Sequence, residues 1–334
     1  MAVCYAATLD GLGHAAMAGM SAARPPGRTP RLVPAASQMS ELPQLVVDGL
    51  VSGAVLAIAA VGVSLVYGIL HLVNFAHGDY LTFGAYAGLG VTALGLSLVV
   101  ATVVAIVATA MLAVGLQLVL WGPVRRRRAG LLSSFITAIG LALVLRHAIF
   151  LVVGAGSRAY PVDQFSVERL GPVRVSISQL IAISLSIVAI AVIGLLLART
   201  SIGRSMRAFA DNPELAAVAG VDVGRIVLAT WLIAGALAGL AGELQGLIQG
   251  AFDPNMGWNL LLPIFAAVVL GTIGNAYGAL LGGFALGLVM ELSTWSVLGG
   301  GIPASYKYVV AFLALIVMLL VRPQGLLGRR ARAL

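Results

Sequence analysis

The chain has 334 residues, of which 60% are hydrophobic and 10% are charged, and its formal net charge is +8. Soluble globular domains carry about a quarter charged residues, so this composition excludes that class and predicts a membrane protein with several spans. The positive charge does not indicate nucleic-acid binding, because the arginines cluster in short segments between apolar runs, where they set the topology.

The residues needed for several kinds of chemistry are absent from the sequence. Cys4 is the only cysteine, which excludes an internal disulfide and a cysteine-rich metal site. Lys307, the only lysine, follows a tyrosine, so the chain has no Gly-Lys-Ser/Thr phosphate-binding loop. There is also no His-Glu-x-x-His or Gly-x-Ser-x-Gly pattern. We therefore expect no enzyme activity, metal site or cofactor, and any ATP that drives the protein must be hydrolysed by another subunit.

Residues 1–40 differ from the rest of the chain. They mix alanine, glycine and proline with three arginines, and they lack the apolar core of a signal peptide. We predict that they form a disordered extension, with Met39 as an alternative translation start just before the first apolar run. Residues 41–328 are predicted to be the membrane domain, and residues 329–334 a basic cytoplasmic tail.

The apolar runs predict an all-α polytopic membrane protein with about eight or nine spans, some of them short or broken. The predicted segments cover residues 45–70, 71–93, 96–121, 131–153, 177–198, 226–250, 260–273, 278–298 and 306–321. The uncertainty lies in two short stretches interrupted by glycine, at 72–93 and 260–283. Paired short segments in the two halves of a chain are typical of inverted-repeat transporters and mark their solute path.

The charged segments predict which loops face the cytoplasm. Four consecutive arginines at 125–128 mark one cytoplasmic loop, and the arginines at the C-terminus mark another. The segment 154–176 mixes both charges with two prolines and is expected outside. The polar segment 199–226 then falls on the cytoplasmic side, whereas the side of the N-terminus depends on whether residues 71–93 form a full span.

The segment 199–226 contains a predicted short helix over residues 213–219. Asn212 is a suitable N-cap, Pro213 suits the first turn and Glu214 favours the positive end of the helix dipole. Gly220 ends the helix, because glycine readily adopts the left-handed conformation. The small side chains Ala216 and Ala217 would let the helix enter a groove of another protein. The alternative is an ordinary amphipathic connection.

Several polar residues lie within or beside the apolar runs. Asn74, His77 and Asp79 either shape a gate for a zwitterionic solute or, as the favoured interpretation, cap helix ends. Glu243 and Glu291 are intramembrane charges that require a partner or water. We expect Arg146 to pair with one of these two glutamates; the alternative for the glutamates is a proton relay.

Glycines recur at a spacing of about four residues, which lets helices approach closely. The run in which this spacing most strongly predicts packing against another helix comprises Gly235, Gly239, Gly242 and Gly246. The alternative is a surface that faces lipid.

Three motifs resemble a known family. Glu214, Ala216, Ala217 and Gly220 resemble the Glu-Ala-Ala-Gly loop of ABC importer permeases, although Leu215 departs from its commonest form. The stretch 74–79, Asn-Phe-Ala-His-Gly-Asp, followed by Gly-Ala-Tyr at 84–86, resembles the early signature of LivH-type branched-chain amino acid permeases. The C-terminal stretch 322–328 resembles the end of the same family, and the likeness extends over about residues 44–328.

The resemblance implies a multi-pass permease in a bacterial cytoplasmic (inner) membrane, with inverted-repeat architecture. It also implies a second, LivM-like permease, two ATPase subunits that dock on the short helix, and an extracytoplasmic solute-binding protein. The expected solutes are branched-chain or related amino acids, and relatives of this build also carry amides or urea. The competing hypothesis is a proton-coupled secondary transporter that uses Glu243 or Glu291.

Overall fold

The structure is a computed structural model of the chain. It describes residues 35–127, 130–161, 167–170, 173–295, 302–322 and 324–328. The predictions for residues 1–34 and for the tail 329–334 lie outside this part. Residues 35–40 are helical and continue into the first span.

Helices dominate the described chain. They are α1 (Ala35–Leu70), α2 (His77–Ala93), α3 (Leu98–Leu116), α4 (Gly122–Arg126), α5 (Leu131–Val153), α6 (Ile177–Arg199), α7 (Ser201–Asp211), α8 (Pro213–Val218), α9 (Val223–Gln249), α10 (Met256–Gly271), α11 (Ala276–Leu292) and α12 (Lys307–Val321). A π-helical turn at Gln117–Trp121 joins α3 to α4, and a 3₁₀ turn at Ala304–Tyr306 precedes α12. The all-α polytopic class is therefore confirmed.

Six helical segments of the described chain are long and apolar enough to cross a bilayer, and a seventh span results if α10 and α11 count as one bent unit. The predicted number of eight or nine is not confirmed. The difference comes from α2, α10 and α11, which have 17, 16 and 17 residues, fewer than the roughly 20 that a span requires.

Four short strands accompany the helices, which the sequence did not predict. Strands β1 (Arg158–Ala159) and β4 (Ala251–Phe252) pair antiparallel, as do β2 (Val167–Leu170) and β3 (Val173–Ser176). The first pair ties the loop after α5 to the end of α9, nearly a hundred residues later. Strands this short leave no hydrophobic alternation to detect.

The two ends of the helix bundle are formed by different elements. A cavity lined by Arg125, Arg126 and Gly224 brings α4 beside the start of α9, and α7 lies against the end of α1 and the α10–α11 turn. We call this the arginine end. The opposite, hairpin end holds the strands and the start of α1, where Gln44 donates a 3.0 Å hydrogen bond to the Arg174 carbonyl.

Helices α1 and α9 form the buried centre of the bundle. A Cβ at Gly235 of α9 would lie 2.6 Å from the Ala113 Cβ, and one at Gly239 would lie 2.9 Å from the Thr109 Cβ, so α3 packs directly on this face. A Cβ at Gly242 would overlap the Leu81 carbonyl oxygen of α2. At Gly246 the neighbours are instead the rings of Phe252 and Tyr160, both 3.0 Å from an added Cβ.

The two short helices occupy equivalent places in two halves of the chain. Helix α1 runs from the hairpin end to the arginine end and is followed by a break and α2. Helix α9 runs the opposite way and is followed by a break and α10, which bends by 120° into α11. The first turns of α2 and α10 meet at Gly78 and Gly257, where the Gly257 N–H donates a 3.0 Å hydrogen bond to the Thr82 hydroxyl. This opposed pair is the inverted arrangement that the short segments predict.

Candidate functional site

The junction of α2 and α10 gathers buried polar groups inside the bundle. The segment before α2 turns on Asn74, whose side-chain oxygen accepts a 3.1 Å hydrogen bond from the Ala76 N–H. The His77 ring is fully buried and has only a weak interaction, with the backbone of Ala59. A Cβ at Gly62 would lie 3.0 Å from this ring. The Asn74 side chain therefore stabilises a turn before α2 and makes no capping hydrogen bond to the helix itself, whereas His77 is held mainly by packing.

Asp79 is ion-paired and does not cap a helix end. The Arg146 Nε of α5 donates to its Oδ1 at 3.1 Å and the Nη2 to its Oδ2 at 3.5 Å. The side chains are 1% and 9% exposed, so the pair is buried. The expected pairing of Arg146 with Glu243 or Glu291 is therefore wrong. Sequence spacing could not reveal the partner, because the two residues are 67 positions apart and meet only when α5 packs on α2.

Trp258 of α10 completes this cluster. The Arg146 guanidinium carbon lies 4.0 Å from the centroid of the indole ring, a cation–π contact. The ring is 44% exposed and also forms part of the wall of a cavity. Sequence reasoning missed Trp258, because the segment 252–259 looked like a polar connection; its only signal was a tryptophan directly after a glycine.

The cavity beside Trp258 has a volume of about 340 Å³, and we call it the aromatic cavity. Its lining residues are Phe75, Trp258, Asn259, Leu261, Leu262, Phe265 and Tyr308. They come from the segment before α2 and from α10 and α12. Ligand pockets in proteins run from roughly 300 to 1,000 Å³, so the space suits a small molecule.

A second cavity of about 460 Å³ lies towards the arginine end, between the end of α1, the π-helical turn, α4 and the start of α5. Leu72 and Ser134 are among its lining residues. Nearby in the sequence, Phe75 and Phe135 make an edge-to-face contact with centroids 4.9 Å apart, and Phe75 also lines the aromatic cavity.

Glu291 is paired at the hairpin end. Its carboxylate accepts a 2.5 Å hydrogen bond from the Lys307 ammonium and a 3.2 Å bond from the Ser52 hydroxyl. The pair is partly exposed, with 26% of Lys307 and 11% of Glu291 accessible. It joins α1, α11 and α12.

Glu243 is fully buried in α9, and neither carboxyl oxygen makes a hydrogen bond of good geometry within the described residues. Gly88 lies beside it, since an added Cβ there would be 3.2 Å from its Oε1 and 2.8 Å from the Tyr160 hydroxyl. Burial raises the pKa of the Tyr160 phenol, and the nearby Glu243 carboxylate raises it further. The phenol therefore stays protonated and donates a 2.6 Å hydrogen bond to the Ala85 carbonyl.

The Tyr160→Phe variant is expected to lower the unfolding free energy by about 1 kcal/mol, because it removes one buried hydrogen bond and leaves the ring packing intact. Thermal unfolding of the purified protein measures this. The matched control is Tyr277→Phe, whose exposed hydroxyl lies 3.5 Å from the Gly194 carbonyl and should contribute nothing measurable. Equal unfolding temperatures for both variants would contradict the prediction.

The short helix α8 spans Pro213–Val218, one residue less than the predicted 213–219, because Ala219 already acts as its C-cap. The Asn212 side chain accepts a 2.9 Å hydrogen bond from the Leu215 N–H. At the other end Gly220 adopts φ +84°, and the Val221 N–H donates to the Ala216 carbonyl at 3.0 Å. Together with the bond from the Gly220 N–H to the Ala217 carbonyl, this is a Schellman motif, which fixes the end of α8.

The outer surface of α8 is apolar. Leu215 is 66% exposed and Val218 is 87% exposed at the arginine end, whereas Ala216 is buried against the rest of the chain. The departure at Leu215 thus places a large apolar side chain on the surface. Of the two alanines expected to face a partner, Ala216 packs inward and Ala217 is exposed.

Helix α7 connects α8 rigidly to the membrane helices. Thr200 caps it by accepting a 3.1 Å hydrogen bond from the Gly203 N–H. Met206 and Phe209 are buried on one face. A Cβ at Gly203 would lie 2.5 Å from the Leu196 carbonyl oxygen, so α7 packs tightly against the end of α6. Helix α8 is therefore joined to α6 through a tightly packed helix.

No cluster of three or more metal-ligating side chains occurs among the described residues.

Comparison with known proteins identifies the family that this chain resembles. Residues 45–319 match the model of the permease component of branched-chain amino acid transport systems. The chain is 32% identical to the high-affinity branched-chain amino acid transport system permease protein BraD of Pseudomonas aeruginosa and to LivH of Escherichia coli. Each match covers 86% of this chain and 95% of the relative. The probable LivH of Methanocaldococcus jannaschii is 30% identical over 82% of this chain and 88% of that protein.

Among solved structures, the chain is similar to PsaBC from Streptococcus pneumoniae in complex with Fab, with a TM-score of 0.50 and 12% identity. The match covers 86% of this chain and 96% of that one. At this identity the likeness concerns the fold alone.

Proposed function

Because the chain belongs to the family of permease components of branched-chain amino acid transport systems, we propose that it forms the solute path for branched-chain or related amino acids and is driven by separate ATPase subunits through α8. It is a multi-pass membrane protein and an ABC importer permease, and not an enzyme. Its proposed location is a bacterial cytoplasmic (inner) membrane, with the arginine end inside by the positive-inside rule.

The observation that carries the proposed coupling is the exposed apolar surface of α8. Leu215 and Val218 are exposed at the arginine end, on a short helix between the long apolar helices α6 and α9. Exposed apolar side chains in such a place favour contact with another protein. The two caps fix the shape of α8, and the tight packing of α7 on α6 would transmit a push from the partner to the bundle.

The proposed path runs along α2, α5 and α10. Phe75 lines the aromatic cavity and contacts Phe135 of α5, a helix whose first turn lines the second cavity towards the arginine end. Two short helices that begin inside the membrane domain are the usual surroundings of a transport site. We propose that the aromatic contact closes the path in this conformation.

The proposed partners are a second, LivM-like permease, two ATPase subunits and an extracytoplasmic solute-binding protein; ATP would be bound by the ATPase subunits alone. The family membership favours this importer over a proton-coupled secondary transporter. The structure weakens the second hypothesis for Glu291, because Lys307 already neutralises that carboxylate. Among solute classes, the curated relatives favour branched-chain amino acids over amides or urea.

The Leu215→Asp, Glu214→Lys and Gly220→Pro variants are expected to reduce co-purification of the ATPase subunits about tenfold or more. The first places a charge on the apolar part of the proposed docking surface, the second reverses the sign of the charge there, and the third prevents the φ +84° that ends α8. The measurement is the amount of ATPase retained on tagged permease after detergent extraction, normalised to the inserted permease.

The matched control is Leu96→Asp, the same change at an exposed leucine of the hairpin end. It should retain the ATPase at the wild-type level. If the α8 variants also retain it, or if the control loses it equally, α8 is not the docking element.

A further inference from the structure

We propose that a zwitterionic amino acid passing through the permease transiently replaces the Asp79–Arg146 ion pair, with its carboxylate on Arg146, its ammonium on Asp79 and its aliphatic side chain in the aromatic cavity. This inference rests on the proposed function. It places the substrate site in the membrane domain, where α2, α5 and α10 form it.

The ion pair has the charges that such a ligand needs. A guanidinium binds a carboxylate through two parallel N–H···O bonds, and an aspartate accepts hydrogen bonds from an ammonium group. Within the described residues, Asp79 is the one side chain that accepts hydrogen bonds from Arg146. One amino acid placed between the two therefore satisfies both charges at once. An uncharged amide, or a solute with a single charge, leaves at least one of them unpaired.

The pair is arranged so that it can open. Its first hydrogen bond is 3.1 Å long, but the second is 3.5 Å, at the limit of a useful contact. The Arg146 guanidinium is at the end of a long, flexible side chain on α5, and the outer face of this helix is largely exposed. A buried charge stays costly unless it is paired, so separation of Arg146 from Asp79 requires replacement charges, which the ligand brings.

Trp258 links the ion pair to the aromatic cavity. Its ring contacts the Arg146 guanidinium and also lines the cavity, and it is nearly half exposed. Because the ring is not enclosed by neighbours on all sides, it can move aside and open the cavity to the charged pair. The ring then remains available to pack on the ligand side chain.

The remaining cavity walls suit a branched aliphatic side chain. Leu261, Leu262 and Phe265 contribute apolar surface, and the volume of about 340 Å³ leaves room for a small amino acid. Each methylene buried there raises affinity roughly fourfold. The cavity therefore favours larger aliphatic amino acids over alanine, independently of any selection by the binding protein.

The test is binding of radiolabelled L-leucine to the complete permease–ATPase complex in lipid nanodiscs, without the solute-binding protein. Unlabelled L-leucine should compete. Isopentylamine, which lacks the carboxylate, 4-methylpentanoate, which lacks the ammonium, and 4-methylpentanamide, which lacks both charges, should each compete at least tenfold more weakly. The Asp79→Asn variant should bind L-leucine about tenfold more weakly and lose its preference for L-leucine over 4-methylpentanoate.

Glu291→Gln is the matched control, because it breaks a second carboxylate ion pair between membrane helices, away from the proposed site, and should leave L-leucine binding unchanged. A second variant, Leu262→Trp, leaves the ion pair intact and fills the cavity from a position that is 47% exposed, so it should fold. It should weaken binding of L-leucine at least tenfold but that of L-alanine less than threefold.

Three results would overturn the site: no L-leucine binding to the wild-type complex at millimolar concentration, equal competition by 4-methylpentanamide, or unchanged leucine and alanine binding by Leu262→Trp. A second measurement, ATP-driven leucine uptake by the same complex with its binding protein added, distinguishes failure of the proposed site from failure of the proposed function. Uptake without a site leaves the proposed function standing, whereas no uptake of any branched-chain amino acid overturns the function itself.

Discussion

The Gly257→Ala variant is expected to lose about 3 kcal/mol of unfolding free energy and to accumulate poorly in the membrane. A Cβ at Gly257 would overlap the Gly78 carbonyl oxygen and lie 2.5 Å from the Thr82 hydroxyl. Most of this contact is with backbone, so no side chain can rotate away, and α2 and α10 must separate. Overpacking of a dense interior costs about 1–3 kcal/mol, occasionally more, and here the clash is with a main chain.

The same change at Gly78 should act similarly, because a Cβ there would lie 2.8 Å from the Gly257 carbonyl carbon. The matched control on α2 is Gly90→Ala, where an added Cβ meets nothing within 4 Å. Alanine is favoured over glycine in a helix by about 0.5–1 kcal/mol, so the control should unfold at or slightly above the wild-type temperature. If Gly257→Ala matches Gly90→Ala in detergent unfolding, the two helices do not cross this closely.

Removal of Asp79 alone is the second large effect. The Asp79→Ala variant leaves the Arg146 guanidinium buried without its carboxylate, which should cost about 3–5 kcal/mol of unfolding free energy. The contact with Trp258 compensates only in part, since cation–π contacts contribute about 0.5–2 kcal/mol. Thermal unfolding and the yield of inserted protein measure the loss.

The double variant Asp79→Ala/Arg146→Met distinguishes an unpaired charge from lost packing. Because no charge remains buried, it should recover most of the stability that Asp79→Ala loses. A double variant that is as unstable as the single one would show that the guanidinium is not the source of the cost. Recovery of stability should not restore transport, because the site proposed for the substrate is gone.

The sequence predicted the long elements closely. Helix α5 occupies the predicted residues 131–153, and α6 and α12 lie within a residue or two of their predicted bounds. An uninterrupted apolar run between two charged loops fixes the first and last residues of its helix closely. The caps of α8 were also predictable, because Asn212, Pro213 and Gly220 act on their own neighbours and need no tertiary context.

The short elements were harder to predict. Helix α2 begins only at His77, because the chain leaves α1 through His71 at φ +52° and stays non-helical to Asn74. Helix α10 begins four residues before the apolar run does, since polar Asn259 lies inside it. Composition alone does not show where a helix starts inside a membrane domain.

The candidate site depended on contacts that sequence spacing does not contain. Asn74, His77 and Asp79 were identifiable as unusual polar residues, but the partner of Asp79 and the role of Trp258 were not. Arg146 had four acidic candidates within the predicted apolar segments, Asp48, Asp79, Glu243 and Glu291, and hydrophobic patterning cannot choose among them. Only the packing of α5 and α10 against α2 decides the pairing.

This chain should carry solute only when ATPase subunits act on α8. The most direct measurement is leucine uptake into proteoliposomes that contain the full complex and its binding protein, with wild-type permease or the Leu215→Asp variant. We predict ATP-dependent uptake for the wild type, and none for the variant, with no response to a proton gradient. Uptake by the permease alone, driven by protons and unaffected by Leu215→Asp, would contradict the account.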